Sequence, residues 1–119
     1  MIKLEITVLP KCTKSLELSQ SLDSIKPDLE KLCTSVILTK EDKKFLIAIN
    51  VDSFQDFQTV LYSKEVSILS GAVSTLGKKS EVTVYGIGNK KGSSDLQKIR
   101  LFYSRNELSN QENKNNDND

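Results

Sequence analysis

The sequence contains no histidine and no tryptophan. The first absence removes the commonest biological metal ligand, the usual general base near pH 7, and every Ser-His or Cys-His nucleophile pair. No metal site is therefore expected. The second removes an aromatic ring that often marks a small-molecule site. Cysteine is scarce as well: Cys12 and Cys33 are too few for a disulfide scaffold and read as reduced thiols of a cytoplasmic protein. No apolar run approaches the roughly 20 residues of a membrane span. Met1-Ile2-Lys3-Leu4-Glu5 lacks a signal-peptide profile and alternates at once, so it reads as the start of a fold, with no membrane partner. Neither charge sign dominates. Seventeen Lys and Arg oppose sixteen Asp and Glu, a net charge of +1, which argues against a nucleic-acid partner held through many phosphate contacts.

What is present is 119 residues, 37% of them hydrophobic, enough for one compact domain. Composition breaks near residue 105. Residues 106–119 (NELSNQENKNNDND) hold six Asn, four acids and one Lys, with Leu108 as their one large apolar side chain. Such a segment cannot bury enough surface to offset its ordering entropy, so a disordered, Asn-rich polar tail is expected there. Residues 1–105 are expected to form a single domain with a C-terminal extension from about residue 89.

Within the domain, Ile2, Leu4, Ile6 and Val8 alternate with polar residues, the period of a half-buried strand. Leu18, Leu22, Ile25, Leu29 and Leu32 then recur at spacings of four and three, one apolar stripe on a helix that Thr13 can cap and Pro27 should kink or split. Residues 33–39 (CTSVILT) and 44–51 (KFLIAINV), separated by four polar residues, predict an antiparallel hairpin. The second of these strands is apolar on both faces, with Leu46 and Ala48 opposite Phe45, Ile47, Ile49 and Val51, as in a strand covered on both sides. Asp52 or Ser53 can cap a helix carrying Phe54, Phe57, Val60 and Leu61. Residues 63–65 interrupt it before Val66, Leu69, Val73 and Leu76 resume the stripe up to Gly77, a natural C-cap. Residues 81–87 (EVTVYGI) alternate again. The order strand, helix, strand, strand, helix, strand is the β-α-β-β-α-β arrangement of an α+β, ferredoxin-like domain with an antiparallel sheet. Leu96, Ile99, Phe102 and Tyr103 follow at helical spacing, for which a short helix and a segment crossing to another subunit both stand open.

Three stretches carry a resemblance. Residues 1–10 (MIKLEITVLP), 44–61 (KFLIAINVDSFQDFQTVL) and 62–77 (YSKEVSILSGAVSTLG) resemble the first strand, the second hairpin strand with its following helix, and the next helix of the antibiotic biosynthesis monooxygenase family. That resemblance spans roughly residues 1–88. It implies a ferredoxin-like subunit that pairs through its sheet into a dimeric α/β barrel, with an apolar pocket in each subunit. It also implies, for some members, oxidation of quinols or polycyclic aromatics by oxygen without a cofactor. This chain departs from the family pattern at Val51, where the family often has Trp, and at Val60 and Glu65, where it often has His. A haem-degrading role is excluded, because no histidine exists to ligate iron.

Two functional expectations follow. One is a cofactor-independent monooxygenase acting on a small aromatic or quinol. The other is a non-catalytic homodimer of the same fold, binding a small apolar or aromatic molecule or serving a stress-related role. The expected pocket lies between the sheet and the helix stripes, lined by Leu18, Leu22, Phe57, Leu61 and Leu69, with Asn50 and Tyr85 as polar contacts. Asn50 can orient a substrate oxygen or, alternatively, bond the backbone of the strand-to-helix turn. Tyr85 can donate a proton or stand as a core ring with its hydroxyl at the rim. Cys33 reads as a packing thiol. Gly86-Ile87-Gly88 and Gly92 lack the full glycine pattern of a phosphate loop and read as a strand end and turn.

Overall fold

The computed structural model describes residues 1–88 and 90–103. The elements run β1 (Ile2–Pro10), α1 (Ser15–Glu30), β2 (Ser35–Lys40), β3 (Phe45–Val51), α2 (Phe54–Leu61), α3 (Lys64–Leu76), β4 (Gly77–Tyr85), β5 (Lys91–Ser93) and α4 (Leu96–Phe102). The five strands form one antiparallel sheet in the order β2-β3-β1-β4-β5. Its first four strands have the ferredoxin-like order, and β5 adds a short hairpin strand at the β4 edge. The fold class is the expected one. The expected boundary near residue 105 and the expected tail 106–119 lie outside the described residues.

The alternation in the strands sets the two sheet faces. Ile2, Leu4, Ile6 and Val8 of β1 point the same way as Phe45, Ile47, Ile49 and Val51 of β3 and Val82 and Val84 of β4, and all ten are buried. The helices lie over this face and close it with Leu18, Leu22, Ile25 and Leu29 of α1, Phe57, Val60 and Leu61 of α2, and Val66, Leu69 and Val73 of α3. Each such side chain removed from water contributes about 1.5–3 kcal/mol. The core therefore lies wholly between the sheet and the helices.

Local rules explain most boundaries. Ser53 accepts from the Asp56 N–H at 3.1 Å and Ser63 accepts from the Val66 N–H at 3.2 Å, so two separate N-caps break the second helical run into α2 and α3. Gly77 closes α3 as expected, but with extended backbone, since β4 starts there rather than at Glu81. Its need is for space: a Cβ would stand 2.4 Å from the Val73 carbonyl oxygen and 2.7 Å from Val8 Cγ2. Gly86 needs the other property, a φ of +95° in the turn after β4.

Three expectations need correction. Thr13 does not cap α1. It takes a φ of +72° in the tight turn closed by the Lys14 N–H on the Lys11 carbonyl, and no side chain caps that helix. Pro27 does not split α1, which continues to Glu30. Pro27 and Asp23, the residue one turn before it, are both exposed, so the carbonyl that loses its partner faces water. Leu32 falls outside the helix and is partly exposed, because the chain has already turned toward β2.

The C-terminal segment resolves as a helix. In α4, Leu96 and Ile99 are buried, and the following Tyr103 packs edge-on against Phe57 with ring centroids 5.4 Å apart. Arg100 Nε donates to the Leu61 carbonyl at 2.8 Å, which ties α4 to the end of α2.

Candidate functional site

The expected pocket is closed. Leu18, Leu22, Phe57, Leu61 and Leu69 are each 2% exposed or less and pack into one cluster with the inner strand residues. The crevice beside Leu22 and Leu69, between α1 and the β2–β3 hairpin, has a volume of about 10 Å³, room for one water at most. Val51 and Val60 are each 1% exposed in the same layer. The positions where the resembling family often carries Trp and His are thus occupied here by valine methyl groups packed in a core. Glu65, at the other such position, is half-buried in the first turn of α3.

Asn50 and Tyr85 do not join that cluster. They lie on the opposite face of the sheet, because each alternates with buried neighbours, Asn50 between Ile49 and Val51 and Tyr85 after Val84. The structure therefore separates the seven expected lining residues into five inside the core and two outside it. The strand registers bring the outer two together. Ser35 pairs with Asn50, Asn50 with Lys3, and Lys3 with Tyr85, so the four form one row across β2, β3, β1 and β4. Asn50 Nδ2 donates to Ser35 Oγ at 3.0 Å, a cross-strand bond rather than the local turn bond. Lys3 Nζ stands 4.8 Å from the Tyr85 ring centroid and 3.5 Å from Glu5 Oε2, and Lys90 Nζ lies 5.2 Å from the same ring.

Lys3 and Ser35 were absent from the residues singled out in the sequence. Alternation alone assigns Lys3 to the polar side of β1. Its neighbours emerge only with the register, which no local pattern states.

The rest of that outer face divides in two. On β2 and β3 it carries Ile37, which is 56% exposed, with Leu46 and Ala48. On β1 and β4 it carries Glu5, Thr7, Glu81 and Thr83. No helix covers this face in the described chain. Away from it, Cys33 packs against the core and burial pushes its thiol up to about 11, whereas Cys12 is exposed. Burial also raises the Tyr103 hydroxyl above its ordinary value. No helix among the described residues is long and apolar enough to cross a membrane.

No protein-family model matches the sequence, and no curated protein does. Solved structures share the fold. Rv0793 from Mycobacterium tuberculosis superposes with a TM-score of 0.66 at 15% identity, covering 74% of this chain and 95% of its own. A candidate antibiotic biosynthesis monooxygenase from Deinococcus radiodurans gives 0.65 at 20% identity, covering 75% and 94%. A further antibiotic biosynthesis monooxygenase gives 0.64 at 8% identity, covering 75% of this chain and all of its own. The chain has the α+β, ferredoxin-like fold found in structures of antibiotic biosynthesis monooxygenases.

Proposed function

We propose that this chain is a non-catalytic relative of the antibiotic biosynthesis monooxygenases, working as a homodimer whose two sheets face one another. The observation that carries the reading is the sealed inner layer, where five expected lining residues fill the space a substrate needs. A flat aromatic or quinol of ordinary size takes a pocket of about 300 Å³ or more. Valine at positions 51 and 60 also supplies no group to orient a substrate or move a proton.

Pairing is supported by the outer face. Ile37, Leu46 and Ala48 form an apolar half-face that a small subunit gains by covering. Sedimentation of the full chain at micromolar concentration is expected to give a dimer, and Leu46→Lys is expected to dissociate it without unfolding the subunit. A stable monomer in the parent protein would remove the proposal. For the non-catalytic part, aerobic incubation with a panel of quinols is expected to consume oxygen no faster than a heat-inactivated control.

One observation favours a second reading, a cofactor-independent oxygenation between the paired sheets. The Ser35, Asn50, Lys3 and Tyr85 row would then line the interior of the barrel and present an amide, an ammonium and a phenol to one ligand. Oxygen uptake above the control, reduced by both Asn50→Ala and Tyr85→Phe, would establish that reading over the first.

A further inference from the structure

Charge is unevenly distributed along the chain. Residues 77–105 carry seven Lys and Arg against two acids, Glu81 and Asp95, while residues 1–76 carry nine bases against ten acids. The fold gathers part of this excess at one place. The end of α3, the start of β4 and the start of α4 enclose an open groove of about 450 Å³, lined by Ser74, Lys78, Lys79, Ser80, Ser94 and Lys98 among others. It borders the core, whose Val73 and Leu96 are among its lining residues.

The ammonium groups here are unpaired, as are Lys11, Lys43 and Lys64 among the described residues, whereas six others are paired. Lys3, Lys14, Lys26, Lys31, Lys40 and Lys44 each lie within 4 Å of a carboxylate. Lys78, Lys79 and Lys98 have no ion pair among the described residues. The groove's one carboxylate, Asp95, is engaged: its Oδ1 accepts from the Gln97 N–H at 2.9 Å as the cap of α4. The end of α3 does not need the lysines either, since the Leu76 carbonyl accepts from the Lys11 N–H and the Val73 carbonyl from the Gly77 N–H. Ser80 Oγ donates to the Ser94 carbonyl, which fixes the β4 wall against the segment entering α4. Lys78, Lys79 and Lys98 thus line one space with a positive excess over Asp95, and Ser74 and Ser94 line it too.

We propose that this groove binds a small anion bearing two or more phosphate groups, of the inorganic or organic diphosphate class. One wall supplies Lys78 and Lys79 and the other Lys98, so an anion with a single charged group satisfies one wall alone. Lysine suits such a ligand because it acts as a point charge with three rotatable donors, without the planar match that a lone carboxylate would prefer in arginine.

The test is a titration of the full chain with pyrophosphate at low ionic strength, followed by amide chemical shifts, with orthophosphate alongside. Saturable shifts at Ser74, Lys78, Lys79 and Lys98, tighter for pyrophosphate than for orthophosphate and weakened by added salt, are the expected result. Lys79→Gln and Lys98→Gln are each expected to weaken binding about fivefold, the scale of one exposed charged contact. Lys64→Gln, at the opposite end of α3, is expected to leave it unchanged. All three positions are exposed, so the variants fold. Absence of saturation up to about 10 mM, weaker than any useful affinity, would overturn the proposal. So would equal losses in all three variants, which would mean diffuse attraction to the whole surface.

Discussion

One sheet presents two faces built on the same strands, and they have opposite characters. Toward the helices, β1, β3 and β4 offer ten aliphatic or aromatic side chains, every one buried. Away from them, the same three strands offer Lys3, Glu5, Thr7, Leu46, Ala48, Asn50, Glu81, Thr83 and Tyr85, none of them buried. The inner face is packed with apolar side chains, and the polar groups of these strands stand on the outer one.

The contrast is sharpest in stability. Phe57→Ala removes a ring that touches Phe54 and Tyr103 in a fully buried site, and is expected to cost about 3–5 kcal/mol in denaturant unfolding. Ile37→Ala on the outer face, at 56% exposure, is expected to cost under about 1 kcal/mol in the dissociated subunit. Comparable losses from the two would mean that the outer face is packed against something within the chain.

A direct attempt to break the comparison is to place in the inner layer the Trp that the resembling family often has at position 51. Val51→Trp is expected to destabilise by about 1–3 kcal/mol or more, since Val51 is fully buried in the packed layer and an indole is far larger than its side chain. If thermal unfolding shows this variant as stable as the parent, the inner layer can open and the sealed-core reading fails.

How much of this was legible beforehand follows from which interactions are local. The periods of 2 and 3.6 placed β1, β3 and the three long helices, the order of elements along the chain gave the ferredoxin-like topology, and the resemblance of residues 1–88 to a known family agreed with it. Alternation also separated Asn50 from Ile49 and Val51. What it did not give was which side of the sheet the helices would cover, and so Asn50 and Tyr85 were assigned to the same chamber as Phe57. Nor did local propensity settle Thr13, whose left-handed backbone comes from the turn that joins β1 to α1. The Ser35, Asn50, Lys3 and Tyr85 row is a product of register across four strands, a property no single segment contains.

The thiols extend the contrast between buried and exposed surfaces to chemistry. Cys33 is raised from 9.0 to about 11 by burial, so at pH 8 its thiolate is scarce, and Cys12 differs in being exposed. Ellman's reagent is expected to label Cys12 rapidly and Cys33 slowly until denaturant is added. The sign for stability follows from the same shift. Below about pH 9 the thiol is neutral in both folded and unfolded chains and contributes nothing pH-dependent. As pH rises from there toward 11 the unfolded chain ionises first, so stability falls, and Cys33→Ala is expected to lessen that fall.

The smallest expected effect concerns Asn50, and it separates a structural role from a ligand-binding one. Its amide bonds Ser35 Oγ on a half-buried surface, so Asn50→Ala deletes one net hydrogen bond, worth about 0.5–1.5 kcal/mol. If Asn50 serves only to link β2 to β3, Ser35→Ala is expected to cost about the same, and the double variant no more than either alone, since both remove one bond. A double variant whose cost equals the sum of the singles would show that Asn50 and Ser35 act separately. The outer row would then be held by contacts to a second copy or a ligand and not by the cross-strand bond, and the distinction between a packed face and an available one would have to be redrawn at that row.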